Sequence, residues 1–474
     1  MTIRTRFAPS PTGFIHVGNI RTGLFAYLTA KHSGGTFVLR LEDTDKNREV
    51  EGSAEHIKEC LRTLGIDWDE GLDVGGQFAP YKQSERLEIY RAWAQKLIDS
   101  GRAYADPYTP EEVQHFREEA QAQKKAFLYR NHRPENPPVW DGSTPLRFKS
   151  DPKPYSWHDE VYGDLHSGPE VIDDFILIKS DGYPTYNFAH IVDDAEMQIT
   201  HIIRGQEFLS SQPNYMNLYE ALELTPPVFA TMPHVLNETG NKKLGKRDGA
   251  KDVLDYIREG FLPETLLSFI ATLGWNDGTE QEYFTRDELV EKFSLSRVQR
   301  SGARFDEKRL LWMNGQFIRL LNIDELAKRV ETHWPSSAMG AEDSYRIRVL
   351  ELVQDRLKTL TDLPILSNYF FEEPTPDPTL ITSHKQLSAL SQDERDAILR
   401  SSLDSLTSVD DWTSDSIQDA LNRLLDTTGQ KPVLLFSLIR IVTTWAPFSP
   451  QLNDTLALLG KQRTCDRISR ALDL

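Results

Sequence analysis

One stretch near the N-terminus, Phe7-Ala8-Pro9-Ser10-Pro11-Thr12-Gly13-Phe14-Ile15-His16-Val17-Gly18-Asn19, constrains the fold of this chain more than any other. Ile3 to Phe7 ahead of it reads as a short buried strand. Val17, Ile20, Leu24, Tyr27 and Leu28 behind it recur at helical spacing, so a helix is predicted to begin near His16. Two prolines and a glycine between them interrupt both periods. A strand, a tight loop and a helix N-terminus together aim backbone N–H groups and a helix dipole at a phosphate, the arrangement of a nucleotide-binding parallel sheet. An imidazole and a glycine at the mouth of that helix would let a nucleotide approach the backbone and receive a hydrogen bond. On its own, His-Val-Gly-Asn fits a solvent-facing histidine at a helix start equally well.

The rest of the chain sets wide bounds. Its 474 residues suffice for roughly three domains. Two cysteines, Cys60 and Cys465, lie far apart and in no metal spacing, which suits a reduced, cytoplasmic compartment. No basic-then-apolar leader precedes the first strand, and the longest apolar run, Val433 to Val442, is interrupted by Arg440 and is too short to span a bilayer. No signal peptide and no membrane contact are expected. The net charge of −18 argues against a nucleic-acid partner on composition alone, although a basic groove can sit on an acidic body.

A second stretch breaks the acidic character: Lys242-Lys243-Leu244-Gly245-Lys246-Arg247-Asp248-Gly249, a glycine-punctuated basic loop suited to a polyphosphate whose charge rises in a transition state. In order and separation the two stretches resemble the paired signatures of class I aminoacyl-tRNA synthetases. The nearer likeness is to the bacterial glutamyl-tRNA synthetase branch, with its PSPTG-x-x-HxG and K-L-S-K-R forms. Gly245 stands where that branch usually carries serine, and both lysines are kept.

The resemblance extends along the chain. Thr36 to Leu41 reads as a second strand, and Glu42-Asp43-Thr44-Asp45 follows it. The family phrase R-x-E-D-T-D singles out Glu42 as the group that receives an amino acid's ammonium, whereas Asp43 and Asp45 read as a solvated acidic turn capping the next helix. From Asp106 to Trp140 the chain is polar and proline-punctuated, with a long helix expected over Pro110 to Phe127. By resemblance this is an insertion that grips the acceptor end of tRNA. Many relatives carry cysteines for zinc here, but this chain has Ala103-Tyr104-Ala105-Asp106-Pro107, and His115 and His132 are not at ligand spacings. No zinc is expected. Strand patterns return at Leu146 to Lys149 and at Phe175 to Lys179, the latter leading into a turn at Ser180-Asp181-Gly182.

Tyr183 to Asp194 and His201 to Glu207 restart the nucleotide-binding sheet in the family's manner. Tyr186 taken alone is as readily a core aromatic as a ligand. Arg204 follows two apolar residues in a strand, and a desolvated guanidinium needs an anionic partner. His190, where many relatives have asparagine, reads first as a hydrogen-bonded core histidine and second as a substrate contact. Further on, Arg297, Arg300, Arg304, Lys308 and Arg309 form a basic run interleaved with Phe305 and Trp312. A solvated face would explain it, but its density in an acidic protein favours phosphate contact. The matching family phrase spans Phe305 to Asn314, in the domain under the inner elbow of tRNA. Beyond Leu321 only helical periods recur, interrupted by Glu373-Pro374-Thr375-Pro376-Asp377-Pro378.

The expected fold is therefore α/β: a Rossmann-type parallel sheet over 1–100 and 186–240, and an acceptor-binding insertion over 101–185. A basic-loop and stem-contact region over 241–320 follows. An all-helical anticodon-binding region over 321–474 completes it, divided near 373–378. The resemblance implies ATP-dependent attachment of L-glutamate to tRNA(Glu) through a glutamyl adenylate, in a cytoplasmic monomer. It implies that His16, Gly18, Asn19, Glu207, Lys243 and Lys246 meet ATP and its magnesium, with His16, Lys243 and Lys246 acting in catalysis. It implies that Arg6, Ser10, Glu42, Tyr186 and Arg204 hold glutamate, with His190 a possible further contact. Arg297, Arg300 and Arg304 are the candidates for tRNA contact. A glutaminyl enzyme is the nearest rival, and a tRNA-binding regulator on an inactive synthetase core is the rival from another class. A short tRNA-modifying paralogue and a small-molecule nucleotidyltransferase have no use for the helical C-terminal half.

Overall fold

The computed structural model describes residues 2–245, 251–446 and 448–474. The chain divides into two compact units, Met1–Tyr256 with Pro263–Glu307, and Ile257–Leu262 with Lys308–Leu474.

The first unit is built on parallel strands. β1 (Arg4–Phe7) runs into the proline loop and then α1 (Val17–His32). α1 is buried along most of its length, including Val17, Ile20, Leu24, Phe25 and Leu28, because it lies under the sheet rather than on its surface. Gly23 allows that approach: a Cβ there would sit 3.0 Å from the Phe7 ring. β2 (Thr36–Leu39) pairs parallel to β1 in the register Arg4↔Thr36 to Phe7↔Leu39, and the short β3 (Glu70–Gly71) pairs parallel to β2 beyond α2 (Ser53–Thr63). α3 (Leu87–Asp99) follows, burying Tyr90, Ala94 and Leu97, the i, i+4, i+7 stripe of an amphipathic helix.

The insertion has its own antiparallel sheet, β4 (Ala103–Ala105), β5 (Leu146–Phe148) and, across α4 and the intervening hairpin, the edge strand at Ile176–Ile178. α4 (Pro110–Ala122) starts on a capping box of Thr109 and Glu112. It stops five residues short of the predicted Phe127, where Gln123-Lys124-Lys125 offers nothing apolar to bury and Lys124 turns to φ +54. Asp106 lies just past β4. It is buried against Arg147 at 2.7 Å, and the Tyr129 hydroxyl donates to it at 2.5 Å. Asp174 does the same work with Arg133 and the Tyr104 hydroxyl. Paired ions and phenols thus knit this subdomain. β6 (Tyr155–Asp159) and β7 (Gly163–Ser167) form an antiparallel hairpin, and the edge strand just named is β8 (Ile176–Ile178).

α5 (Tyr186–Glu196) and β9 (His201–Gly205) bring the chain back to the parallel layer. The Thr200 N–H donates to the Arg4 carbonyl at 2.9 Å, so β9 starts beside β1. After α6 (Gln212–Ala221), β10 (Val228–Met232) pairs parallel to β9 over its full length and parallel to β6 at Phe229. The strands before the insertion and those after it are therefore neighbours through β1 and β9. Downstream lie β11 (Val235–Leu236), α7 (Val253–Arg258), α8 (Pro263–Ala271), α9 (Arg286–Lys292) and β12 (Ala303–Arg304), which pairs parallel to β11.

All regular elements among the described residues of the second unit are helices, from the one over Glu307–Leu320 to the last over Lys461–Ala471. The helix over Ser414–Thr428 shows why: Ile417, Ala420, Leu421 and Leu424 make one buried stripe, Thr413 caps its start and Gly429 at φ +66 ends it. Buried Arg467 donates to the Thr443 and Tyr369 carbonyls at 2.7 and 2.9 Å, tying the last helix to two earlier ones. The proline-rich segment 373–378 carries no helix. Among the described residues no helix is long and apolar enough to cross a membrane.

Candidate active site

A cavity of about 670 Å³ opens at the carboxyl ends of β1, β2 and β9 in the first unit, the edge where parallel sheets present ligands. His16, Gly18, Asn19, Arg6, Ser10, Glu42, Tyr186, Arg204, Glu207 and Lys243 all line it. His190 stands directly behind Tyr186, its ring stacked on the tyrosine at 4.7 Å.

Behind the cavity wall formed by Arg6, Glu42 and Arg204 lies a dense cluster of buried charge. Arg40, at the end of β2, is fully enclosed and donates through Nη1 to Asp194 at 2.8 Å and through Nη2 to Glu42 at 3.1 Å. Arg6 on β1 donates through Nε to the same Asp194 at 3.1 Å and through Nη1 to the Ile203 carbonyl. Burial alone would raise the Asp194 carboxyl, but the Arg6 and Arg40 guanidiniums outweigh it and hold the group down at about 2. Asp193, one residue earlier, accepts from Gln83, Arg86 and the Tyr90 hydroxyl, and lies 3.6 Å from Arg40 Nε. Glu42 behaves in the opposite way. Burial pushes its carboxyl up to about 7, outweighing the pull of Arg40 and Arg6.

Arg204 is the exception in this group. It is buried on β9, with its guanidinium carbon 5.1 to 5.6 Å from the centroids of Phe208, Tyr215 and Phe229, and its Nη1 is enclosed without a hydrogen-bond partner. The sequence predicts an anionic partner for it, and the described residues provide only aromatic faces. His190 donates through Nδ1 to the Tyr186 carbonyl at 2.7 Å, while Nε2 has no partner. Burial, reinforced by Arg204, brings the imidazole down to about 3, so it is neutral with an acceptor at Nε2.

The other end is open. His16 is the N-cap of α1: its Nδ1 accepts from the Gly18 N–H at 3.1 Å, which places the proton of a neutral ring on Nε2. Ser10 and Asn19 are exposed beside it. Glu207 and Lys243 pair at 3.2 Å, and His234 lies 3.8 Å from the second Glu207 oxygen. Gly205 makes room for this carboxylate, since a Cβ there would lie 2.1 Å from Glu207 Oε2. The N-terminal root of the basic loop is anchored, with the Leu244 N–H donating to the Val235 carbonyl at 2.8 Å. Lys246 lies outside the described residues.

Several residues are placed differently from the sequence expectation. Asp43 is buried, not a solvated turn: it accepts from the Ser84 N–H and hydroxyl at 2.8 and 2.5 Å, which fixes the segment after β2 to that before α3. Asp45 is partly exposed and pairs with Arg48. Arg300 and Arg304 are exposed, yet they donate to the Val161 and Glu238 carbonyls, and neither they nor Arg297 line the cavity. Arg40, Asp193 and Asp194 escaped the motif-based list. Their signal is present, however: an arginine between two leucines in a strand, and two acids on a helix whose neighbours Ala189, Ile191 and Val192 are apolar. Arg21 was also missed. It is buried at the cavity wall, donates to the Pro233 carbonyl at 2.6 Å, and is brought by burial to about 10.

A helix N-terminus capped by histidine, a parallel sheet with its ligand edge free, and Lys243 at the root of the basic segment in the cavity wall are the marks of a nucleotide-dependent synthetase of the class I kind. Residues 2–312 match the catalytic domain of the tRNA synthetases class I (E and Q), and residues 325–472 match an anticodon binding domain. The chain is 37% identical over 478 residues to a glutamate–tRNA ligase of Dehalococcoides mccartyi, covering 99% of this chain and 97% of that one. It is 38% identical over 482 residues to glutamate–tRNA ligase 1 of Fervidobacterium nodosum, covering 99% of each. The crystal structure of a glutamate tRNA ligase from Elizabethkingia meningosepticum in complex with its amino acid superposes with a TM-score of 0.89 at 31% identity, covering 100% of this chain and 99% of that one. The chain belongs to the class I tRNA synthetases (E and Q).

Proposed function

We propose that this protein joins L-glutamate to tRNA(Glu) in two steps, using ATP as its magnesium complex. The observation that carries the reading is charge balance at the closed end of the cavity. Four buried guanidiniums, Arg6, Arg40, Arg86 and Arg204, stand among three buried carboxylates, Glu42, Asp193 and Asp194. The first three arginines are paired, and Arg204 is not. An amino acid with a side-chain carboxylate brings one net negative charge and two oxygens for a planar, two-pronged donor. Its ammonium suits Glu42. Glutamine is nearly isosteric but neutral as a zwitterion, so it leaves the Arg204 charge uncompensated and turns an NH₂ toward donors. Apolar packing cannot separate such a pair, whereas an unmatched buried charge can.

With glutamate so held, its α-carboxylate attacks the α-phosphorus of ATP, forming glutamyl adenylate and releasing diphosphate. The terminal ribose 2′-hydroxyl of tRNA then attacks the adenylate carbonyl, releasing AMP. The protein's part is positioning and stabilisation of phosphate charge. His16, through its Nε2–H, Gly18 and Asn19 hold the nucleotide at the start of α1, and Glu207 lies against it. Lys243 and Lys246 meet the departing diphosphate. Arg6, Ser10 and Tyr186 complete the amino-acid pocket, with the neutral His190 fixing the Tyr186 ring. Exposed Arg297, Arg300 and Arg304 are assigned to tRNA phosphates.

Amino-acid-dependent exchange of diphosphate into ATP, run with tRNA present, tests this. Replacing Arg204 by Cys is expected to lower kcat/KM for glutamate by about 10³-fold or more while glutamine changes little. An Arg204→Cys protein that keeps the parent's preference for glutamate would remove Arg204 as the selector.

A further inference from the structure

α2 carries His56 and Cys60 one helical turn apart, on the same face. Asp252, a few residues beyond the basic loop, lies against both. The Cys60 sulfur is 3.6 Å from His56 Nε2 and 3.6 Å from Asp252 Oδ1, and a short hydrogen bond joins His56 Nε2 to Asp252 Oδ2. All three donor atoms fall within 4.8 Å of one another, the only such group among the described residues. Sequence spacing hides it, because the third member is 192 positions from Cys60.

We infer that His56, Cys60 and Asp252 form a binding site for a thiophilic divalent cation of the zinc type, distinct from the magnesium that accompanies ATP. A tetrahedral zinc with bonds of about 2.3 Å to sulfur and about 2.0–2.1 Å to nitrogen or oxygen has sulfur-to-ligand edges of about 3.5 Å. Both sulfur edges of the cluster meet that requirement as they stand. The hydrogen bond between His56 Nε2 and the other aspartate oxygen, Oδ2, gives way when Nε2 and Oδ1 take up the metal. Thiolate, imidazole and carboxylate together suit zinc and exclude magnesium, which needs an octahedron of oxygens. Cys60 is fully buried, whereas the His56 and Asp252 side chains keep 11% and 16% exposure, enough for entry and for a water as fourth ligand.

The site bears on the loop that precedes it. Asp252 forms an isolated antiparallel bridge with His16, and the Phe14 ring packs on His56 at 4.6 Å. A metal held by α2 and Asp252 fixes the C-terminal root of the basic segment against the start of α1. This inference stands on the cluster alone and does not depend on the amino-acid substrate.

The test is titration of the full-length protein, stripped with chelator, first with Co²⁺ and then with Zn²⁺ in competition. One equivalent of Co²⁺ is expected to give visible tetrahedral bands and a near-ultraviolet thiolate charge-transfer band, both removed by stoichiometric Zn²⁺. Cys60→Ser should abolish the charge-transfer band, and Asp252→Asn should weaken Zn²⁺ binding by roughly tenfold or more. Thermal melts of the parent and of Cys60→Ser, each with and without Zn²⁺, guard against misfolding: zinc should raise the melting temperature of the parent only. Absence of a thiolate band in the folded parent, or equal zinc binding by parent and Cys60→Ser, would overturn the assignment.

Discussion

The two ends of the cavity solve opposite problems with the same residue types. At the closed end, Arg6, Arg40, Glu42 and Asp194 are all nearly inaccessible to water, and the charges of Arg6, Arg40 and Asp194 are supported by one another. At the open end, the pair of Glu207 and Lys243 is about half exposed, and water supports both charges. A buried ion pair is costly to assemble and worse to break, whereas an exposed one contributes little to stability. The difference fits the tasks proposed for each end. A pocket that separates glutamate from glutamine must be rigid and dry, while groups that follow a departing diphosphate must be able to move.

The largest expected effect lies at the closed end. Asp194→Asn removes the carboxylate shared by Arg6 and Arg40, leaving two enclosed guanidiniums with an amide between them. We expect it to destabilise the first unit by about 3–5 kcal/mol, read as a lower urea midpoint in its unfolding transition. A loss below about 1 kcal/mol would mean that the network relaxes like a surface pair and that the two ends do not differ in kind.

The next effect belongs to the open end and should leave stability alone. Lys243→Ala should lower kcat by about 10²–10³, roughly 2.7–4 kcal/mol of transition-state stabilisation, with the urea midpoint unchanged. A variant with the parent's kcat and only a raised KM for ATP would assign Lys243 to ground-state binding.

What the sequence made legible follows the same divide. The loop from Pro9 to Gly13, the helix that His16 caps and the basic loop through Lys243 are contiguous, so composition and period reveal them. Arg40 and Asp194 stand 154 positions apart, and only the pairing of β1 with β2 and the return of the chain through α5 and β9 join them. The same holds for Asp43, read as a solvated turn until Ser84 folds over it. The sequence marks Arg204 as a buried cation in need of an anion. That its partner is absent from the described residues is visible only in three dimensions, and it is the more informative fact. The overlong helix predicted to Phe127 shows the reverse error: helix propensity carried past Ala122, and no buried face supported it.

A subtler effect is expected from pH at the closed end. Burial holds the Glu42 carboxyl at about 7 in the free protein, well above its ordinary value of 4.5. Its contribution to stability is therefore complete below 4.5 and is lost as pH rises through about 7. Ligand binding runs the other way, because an ammonium requires the ionised carboxylate. The KM for glutamate should fall severalfold as pH rises through 7, and binding near pH 7 should release a proton, measurable by calorimetry in buffers of different ionisation enthalpy. Glu42→Gln should bind weakly and show neither trend. A parent KM flat across that range would mean that Glu42 does not take the ammonium.

The smallest effect sharpens the comparison most. Glu207 is drawn below its ordinary range: burial pulls upward, but its own backbone N–H and Lys243 outweigh it. A carboxyl lowered in this way adds stability above its unfolded pKa and loses it on acidification. With the two side chains 47% and 52% exposed, solvent screens most of that contribution. Glu207→Gln should therefore cost under about 1 kcal/mol at neutral pH, and the difference should vanish in high salt. Its kinetic signature should be separate. Loss of the carboxylate releases Lys243 from the ion pair that holds it, so the KM for ATP should change while the glutamate-to-glutamine preference set by Arg204 stays fixed. If Glu207→Gln instead destabilised the protein as much as Asp194→Asn, the open end would have to be counted as part of the buried network, and the mobility proposed for Lys243 would have no basis.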